Sequence, residues 1–344
     1  DNVMKEDGRA RKRPLCDFLS VEPVKTNDTL QCATLCACGW HMLLSTDRIL
    51  MINDKTRQSW FYQGLRAVLD KASTIVNNRN TSDDNVAEFV LDVGDSSVLA
   101  LSASIILKQS KSEKPITVIS REAKLMSCMH FQSLGVANEL DNFHCWDGND
   151  FSEIIRHFDT GKEGSNEWNV RILALISDLY QFQLAARPVW QALSFHYQRT
   201  AIDPFLVPEA PIFPSGARIM VACFELVDLH ISHGVNGLVS GFDHVHLDAC
   251  QRGWQKNRLP YKLADYRKRL LCTPVSLHSL DFTNKAKSLP SKRTILPIVT
   301  EGRFDCLAIW TDYLAGDEVF PTFSPDNYPK EAGVGVDFPA YYKV

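Results

Sequence analysis

Two acidic positions near a glycine turn and a close set of cysteines are the residues of this chain that could do chemistry. Asp92-Val93-Gly94-Asp95-Ser96-Ser97 follows the apolar run Phe89-Val90-Leu91. At the carboxyl end of a strand in an open α/β sheet, such a loop is where cofactors bind. A glycine there lets the backbone approach a ligand, and the acid accepts hydrogen bonds. One glycine is weak evidence, because strand-to-helix junctions in any α/β fold carry one. Glu122 lies 28 positions after Gly94, beyond the roughly 20 typical of an acid that accepts from ribose hydroxyls. The polar stretch Lys108 to Pro115 would account for the extra length. The other reading of Glu122 is an exposed acid opening the helix that begins near Lys124, where the macrodipole favours it. Near the start, Cys32-x3-Cys36-x-Cys38, with Cys16 and His41, could supply four zinc ligands, since zinc takes tetrahedral Cys/His sets. Thiols in a short apolar stretch are equally ordinary core residues.

These residues need elements to position them. Asn53-Asp54-Lys55-Thr56-Arg57 offers N-cap chemistry, and Trp60, Phe61, Leu65, Val68 and Leu69 recur at helical spacing. The pattern predicts an amphipathic helix ending near Lys71. Strands are expected at Phe89–Val93, Ile116–Ile119 and Val170–Ile176. Helices are expected at Val98–Lys108, Lys124–Leu134 and Pro188–Ala201. Strand and helix in alternation is the pattern of a parallel sheet with crossover helices. After the Pro-rich junction at 207–214 the texture changes, and strands are expected at Arg218–Leu226, Ser276–Phe282, Ile295–Val299 and Asp305–Tyr313. That half reads as all-β, a barrel or sandwich. No repeat is visible. Residues 1–15 read as a tail, with Arg9, Arg11, Lys12 and Arg13 a basic cluster on a solvated linker.

Composition bounds the rest. The chain has 344 residues, 45% of them hydrophobic and 23% charged, with a formal net charge of −4. It is neither disordered nor collagenous. The balance supplies no overall basic field for nucleic acid or an anionic membrane. The longest apolar stretch, Val90 to Leu107, is interrupted by Asp92 and Asp95, which argues against a membrane helix. Ten cysteines are too sparse for a disulfide scaffold, so free thiols in a reducing, intracellular compartment are expected.

Phe89-Val90-Leu91-Asp92-Val93-Gly94 resembles the first motif of S-adenosylmethionine-dependent methyltransferases. The order of helix, α/β half, Pro-bounded junction and β half is similar to the protein arginine methyltransferases. Ile52-Asn53-Asp54-Lys55-Thr56-Arg57, Phe195 to Asp203, Gly241-Phe242-Asp243 and Leu307 to Tyr313 each resemble segments of that family, in the family order. The likeness is to the second module of members that carry two methyltransferase-like modules in one chain. The fold implied is α/β, a Rossmann-like class I methyltransferase domain followed by an all-β barrel-like domain. Its expected division is a linker with the zinc candidates over 1–50, the methyltransferase domain over 51–210, and the barrel over 211–344. The last of these is truncated or divergent at its end.

The resemblance also shows where this chain departs from an active enzyme. The family loop is Asp-x-Gly-x-Gly-x-Gly, and Ser96 and Val98 stand where its second and third glycines would be. A β-branched Val resists positive φ and its Cβ would fill cofactor space. Asp92, Gly94 and Glu122 are therefore a degenerate cofactor site, with little or no S-adenosylmethionine binding expected. The family grips the substrate guanidinium with two acids in a charge-assisted fork. Asp178 falls at the first position, one methylene short of the family's Glu. The second lands near Arg187, a cation. The family's Thr-His-Trp has its nearest counterpart in Asn327-Tyr328-Pro329-Lys330. Cys36-Ala37-Cys38 looks like the family's inter-module zinc pair, which makes Cys16, Cys36 and Cys38 the favoured ligands. What the resemblance implies is a degenerate second module. Its parent enzyme would use S-adenosylmethionine to make monomethylarginine on arginine-containing protein substrates, in the cytoplasm and nucleus. The module's partner would be the N-terminal arginine methyltransferase module of the same chain, packed as a pseudo-dimer, with no membrane or nucleic acid involved. The alternatives are a competent methyltransferase with an altered site and a non-enzymatic docking scaffold.

Overall fold

The computed structural model describes residues 2–6, 9–12, 46–78, 86–96, 98–110, 115–148, 151–158, 170–184, 187–233, 237–251, 259–261, 266–320 and 340–343. The chain divides into two compact units, Asp1–Thr46 and Asp47–Val344. In the first, β1 (Asn2–Glu6) and β2 (Arg9–Lys12) pair antiparallel. A hairpin thus stands where the sequence suggested a tail, with Arg9, Arg11 and Lys12 on its second strand.

The second unit begins with α1 (Thr46–Asn53) and α2 (Lys55–Asn77). The N-cap expectation at Asp54 holds, because its carboxylate accepts from the Arg57 N–H at 3.0 Å, satisfying one of the orphan donors of the first turn. Phe61, Leu65, Leu69, Ala72 and Val76 are buried, a spacing that puts them on one face. That face carries α2 past the expected end at Lys71, to Asn77. Gly64 lies so near the Phe213 ring that a Cβ would collide with it. Trp60 stacks on Phe320 at 4.8 Å between centroids and tilts over Phe213 at 5.5 Å. Such aromatic contacts add about 0.5–1.5 kcal/mol each beyond area burial, and here they tie α2 to both halves of the unit.

Next come β3 (Ala87–Asp92), α3 (Leu99–Gln109), β4 (Thr117–Glu122), α4 (Leu125–Ala137), β5 (Phe143–Asp147), α5 (Phe151–Phe158), β6 (Val170–Ile176), α6 (Pro188–Ile202) and β7 (Ile212–Phe213). The five strands form one parallel sheet in the order β5-β4-β3-β6-β7. Its central strands are apolar and buried on both sides, as Val90, Leu91, Ile172, Leu173 and Leu175 are. Covered parallel sheets require this pattern. Because β3 is flanked by β4 and β6, the chain reverses direction across the sheet at β3, and a crevice at the carboxyl ends of these strands follows.

The sheet changes at Gly216. β8 (Gly216–Leu226) is the middle of an antiparallel sheet. There follow α7 (Val227–His233), β9 (Leu238–Val239), β10 (Phe242–Asp243), α8 (Val245–Gln251), β11 (Leu259–Tyr261), β12 (Lys268–Leu270), β13 (Val275–Asp281), β14 (Cys306–Ala315), β15 (Glu318–Phe320) and β16 (Ala340–Lys343). The sheet runs β11-β16-β14-β8-β12, with β13 also pairing β8 and β15 pairing β14. A strand paired on one edge at its start and another at its end curls the sheet. The expected strand at Ile295–Val299 does not form. Ile295 and Val299 are exposed, and only Ile298 bridges, to Cys272. The Arg199 guanidinium of α6 donates to the carbonyls of Phe282 and Thr283 at 3.0 and 2.9 Å, fastening the β half to the α/β half.

Candidate functional site

Parallel pairing sets Asp92 beside Ser120 and beside Ile176 in register. The ends of β3, β4 and β6 therefore bring Asp92, Glu122 and the residues after Ile176 to one edge. Every acid there is buried: Asp92, Asp95, Glu122 and Asp178. Glu122 ends β4 with 0 % exposure, so the reading of it as an exposed helix-opening acid is overturned. The helix that follows starts at Leu125, with Lys124 as its N-cap.

The loop after β3 is held by its own backbone donors. Gly94 N–H donates to Asp92 Oδ1 at 2.9 Å, and Ser96 N–H to Glu122 Oε2 at 2.8 Å. Asp95 spans the site. Its Oδ1 accepts from Ala123 N–H at 3.1 Å and its Oδ2 from Phe182 N–H at 2.8 Å, while its own N–H donates to the Tyr180 carbonyl. Arg121 stands 3.6 Å from Asp95 Oδ1. Burial raises the Asp95 carboxyl, opposed by Arg121 and the two backbone donors. Burial pushes Glu122 up to about 9, with Asp95 and Asp92 adding to the shift and the Ser96 N–H opposing it. Glu122 is thus protonated at neutral pH. Its Oε1 has no hydrogen-bond partner.

The loop's glycines depart from expectation in an instructive way. The left-handed conformation falls on Ser96, with φ 53. Val98 sits at φ −80 as the N-cap of α3, so the backbone strain expected of Val98 is absent. Gly94 is required for a steric reason. A Cβ there would lie 2.7 Å from Asp178 Oδ1 and 3.3 Å from both Asp92 Oδ1 and Ser177 Oγ.

Asp178 faces inward, toward an arginine the sequence reading did not single out. Arg48 of α1 is 1 % exposed. Its Nη2 pairs with Asp178 Oδ2. Nη2 and Nε also donate to the Ser96 carbonyl at 2.8 and 3.2 Å, and the guanidinium lies 4.5 Å from the Tyr180 ring centroid. Arg57 donates to the Asp178 carbonyl at 2.9 Å. Burial lowers the Arg57 pKa, opposed by the Asp178 charge. Arg187, where a second acid would be needed, is exposed at the N-cap of α6. A groove of about 390 Å³ on the face of α2 and α3 is lined by Lys55, Gln58, Ser59, Tyr62, Leu99 and Ser102, and by none of these acids.

Cys16, Cys36, Cys38 and the Asn327–Lys330 stretch lie outside the described residues. Among the described residues no group of three or more His, Cys, Asp or Glu is placed to hold a metal ion. Cys128, Cys145, Cys223, Cys272 and Cys306 are free thiols, and no helix of the described residues is long and apolar enough to cross a membrane.

No protein-family model matches the chain. In sequence it is similar to protein arginine N-methyltransferase 7 of Danio rerio, 25% identical over 293 residues covering 83% of this chain, and of Mus musculus, 23% identical over 307 residues covering 85%. The chain spans 38% of the length of these relatives. In structure it is similar to protein arginine methyltransferase 10 of Arabidopsis thaliana, with a TM-score of 0.53, 16% identity and coverage of 89% of this chain and 84% of that one. It also resembles the PRMT1 enzyme–prozyme complex of Trypanosoma brucei, solved with AdoHcy, with a TM-score of 0.51, 13% identity and coverage of 85% and 80%. The chain thus resembles protein arginine N-methyltransferase 7 in sequence, and its fold is that of a Rossmann-like methyltransferase domain followed by a β-barrel domain.

Proposed function

We propose that this chain is a degenerate module of a two-module protein arginine methyltransferase, one that supports a catalytic module rather than transferring methyl groups itself. The parent enzyme would move a methyl group from S-adenosylmethionine to protein arginine and stop at monomethylarginine, in the cytoplasm and nucleus. The observation that carries this reading is the Arg48 guanidinium seated on Asp178 and on the Ser96 carbonyl. By the family resemblance, Asp178 is where the first grip on a substrate guanidinium would be. The residues present do not fit S-adenosylmethionine. Gly94 packs against Asp178, and the carboxylate that would grip a substrate cation already holds an internal one. A fork of two acids is also missing, with Arg187 in the second position. Two cations a few ångströms apart repel by several kcal/mol at an effective dielectric near ~20.

The supporting role rests on the arm that leaves the β sheet. Along α7, β9, β10 and α8, the side chains of Ile231, Leu238, Val239, Phe242 and Val245 are exposed. Large side chains clustered like this mark an interaction site. The occupant we assign is the other module of the parent chain, since the relatives are more than twice as long as this chain. Calorimetric titration of the purified chain with S-adenosylmethionine tests the reading. No saturable heat is expected, and micromolar binding overturns it.

One observation favours the rival reading of a competent module. The buried Glu122 Oε1 lacks a partner, and a ribose hydroxyl would supply one. The same titration decides between the two.

A further inference from the structure

We infer that Cys128 and Cys145 are a redox-modification site: a hydroperoxide oxidises the pair to a disulfide that staples helix α4 to strand β5. The inference is independent of whether this module binds a cofactor.

Helix and strand are placed for it. Cys128, Gln132 and Gly135 share one face of α4 at helical spacing, and Phe143 and Cys145 share one face of β5. A Cβ on Gly135 would lie 2.5 Å from the Phe143 ring, and Gln132 Oε1 accepts from the Cys145 N–H at 2.8 Å. The same two faces bring Cys128 onto the Cys145 thiol, and the two side chains hydrogen-bond. Cys128 lies in the first turn of α4, where the helix N-terminus favours a thiolate. Cys145 is half-buried on the edge strand of the parallel sheet, within reach of a small oxidant. The bond from Cys145 lowers the Cys128 pKa, against burial and the Asp147 charge. The same bond, with burial adding to it, raises Cys145. Cys128 is therefore the attacking thiol and Cys145 the resolving one. Two thiols of the β half differ. Cys223 and Cys306 are 6 % and 0 % exposed, and burial pushes them up to about 11 and about 12.

The chemistry balances with the hydroperoxide as sole oxidant. The Cys128 thiolate attacks a peroxide oxygen and breaks the O–O bond. A sulfenic acid forms, and the alkoxide or hydroxide released takes up a proton. The Cys145 sulfur then attacks the Cys128 sulfur and displaces hydroxide, which leaves as water with the Cys145 proton. The sulfurs together lose the electron pair that the peroxide gains. The staple joins the two elements beside the buried acids: α4 follows Glu122, and Gly148, just after β5, donates its N–H to the Glu122 carbonyl at 3.1 Å.

The test treats the full chain with a small excess of hydrogen peroxide, blocks remaining thiols with iodoacetamide and maps the non-reduced peptides by mass spectrometry. A disulfide-linked peptide pair carrying Cys128 and Cys145 is expected, lost on treatment with dithiothreitol, with Cys223 and Cys306 still alkylated. Cys128 and Cys145 both recovered alkylated would overturn the site, as would Cys128 carried to sulfinic acid beside an alkylated Cys145. Dimedone, which traps sulfenic acids, then reads the order of attack. Label on Cys128 in C145S should exceed that on Cys145 in C128S by roughly tenfold, and equal labelling refutes Cys128 as the attacking thiol. Should either variant not fold, alkylation rates in the untreated wild type decide. Faster reaction at Cys128 is expected, and faster reaction at Cys145 refutes the assignment.

Discussion

Asp178 and Arg48 form an ion pair in which both side chains are almost wholly withdrawn from water, 3 % and 1 % exposed. The pair joins the first helix of the second unit to the loop after its fourth parallel strand. A charge removed from water is costly unless its partner and further hydrogen bonds compensate it. Here they do, through the Ser96 carbonyl, the Tyr180 N–H and Arg57.

That arrangement predicts an asymmetric response to substitution. Asp178→Ala strands two buried arginines together, so a loss of about 3–5 kcal/mol is expected. Urea unfolding followed by circular dichroism measures it. A loss under about 1 kcal/mol would mean that the pair is solvated in solution.

Glu122 carries a pH dependence whose sign is fixed by its direction of shift. Its pKa is about 9 in the folded chain against an unfolded value near 4.5, so between these values the folded state binds the extra proton. Stability must then fall as pH rises through that window, by at most about 1.4 kcal/mol per pH unit from this group. Glu122→Gln keeps an acceptor for the Ser96 N–H and removes the titration. The variant should show a flatter stability profile between pH 5 and pH 9 and exceed the wild type at the alkaline end. Parallel profiles for the two proteins would contradict the assignment.

Gly94 answers to contact rather than to backbone conformation. In Gly94→Ala the new methyl meets Asp178 Oδ1 at 2.7 Å, and the carboxylate must shift away from Arg48. A loss of about 1–3 kcal/mol is expected, the usual cost of overpacking. If that cost runs through the ion pair, it shrinks when Gly94→Ala is made in the Asp178→Ala background.

Much of the architecture is legible in the sequence, for physical reasons that also explain what is not. Val170 to Ile176 is a seven-residue strand that is apolar and buried at every position but Arg171, and period and length suffice to identify it. Phe143–Asp147 is equally a strand of that sheet, yet only Phe143 is buried. His144, Cys145 and Trp146 present no apolar alternation, and neither this strand nor α5 after it is visible beforehand. Ile295 to Val299 misleads in the opposite sense: Ile295, Ile298 and Val299 lie exposed, and the pairing there goes no further than the bridge from Ile298 to Cys272 and the Val299 N–H on the Leu271 carbonyl. The acids Asp92, Glu122 and Asp178 can be located from their places after strands, but Arg48 cannot. An arginine ahead of Ile49, Leu50 and Met51 becomes a core residue only when folding brings Asp178 to it.

Ser96 and Val98 supply the sharpest contrast between residue type and position. Sequence alone puts the conformational difficulty on Val98, whose branched Cβ resists positive φ. The chain avoids it by placing Val98 at φ −80 and giving the left-handed turn to Ser96 at φ 53. A non-glycine residue there costs about 1–2 kcal/mol, and glycine removes the Cβ penalty while adding freedom to the unfolded chain. Ser96→Gly should therefore be neutral or stabilising by up to about 1 kcal/mol. Val98→Gly loosens a right-handed position at the head of α3 and should destabilise by about 0.5–1 kcal/mol. Thermal unfolding of the two single variants reads the difference directly. The opposite order, with Val98→Gly the more stable, would place the turn two residues later in the loop and remove the close fit between Ser96, Glu122 and Arg48.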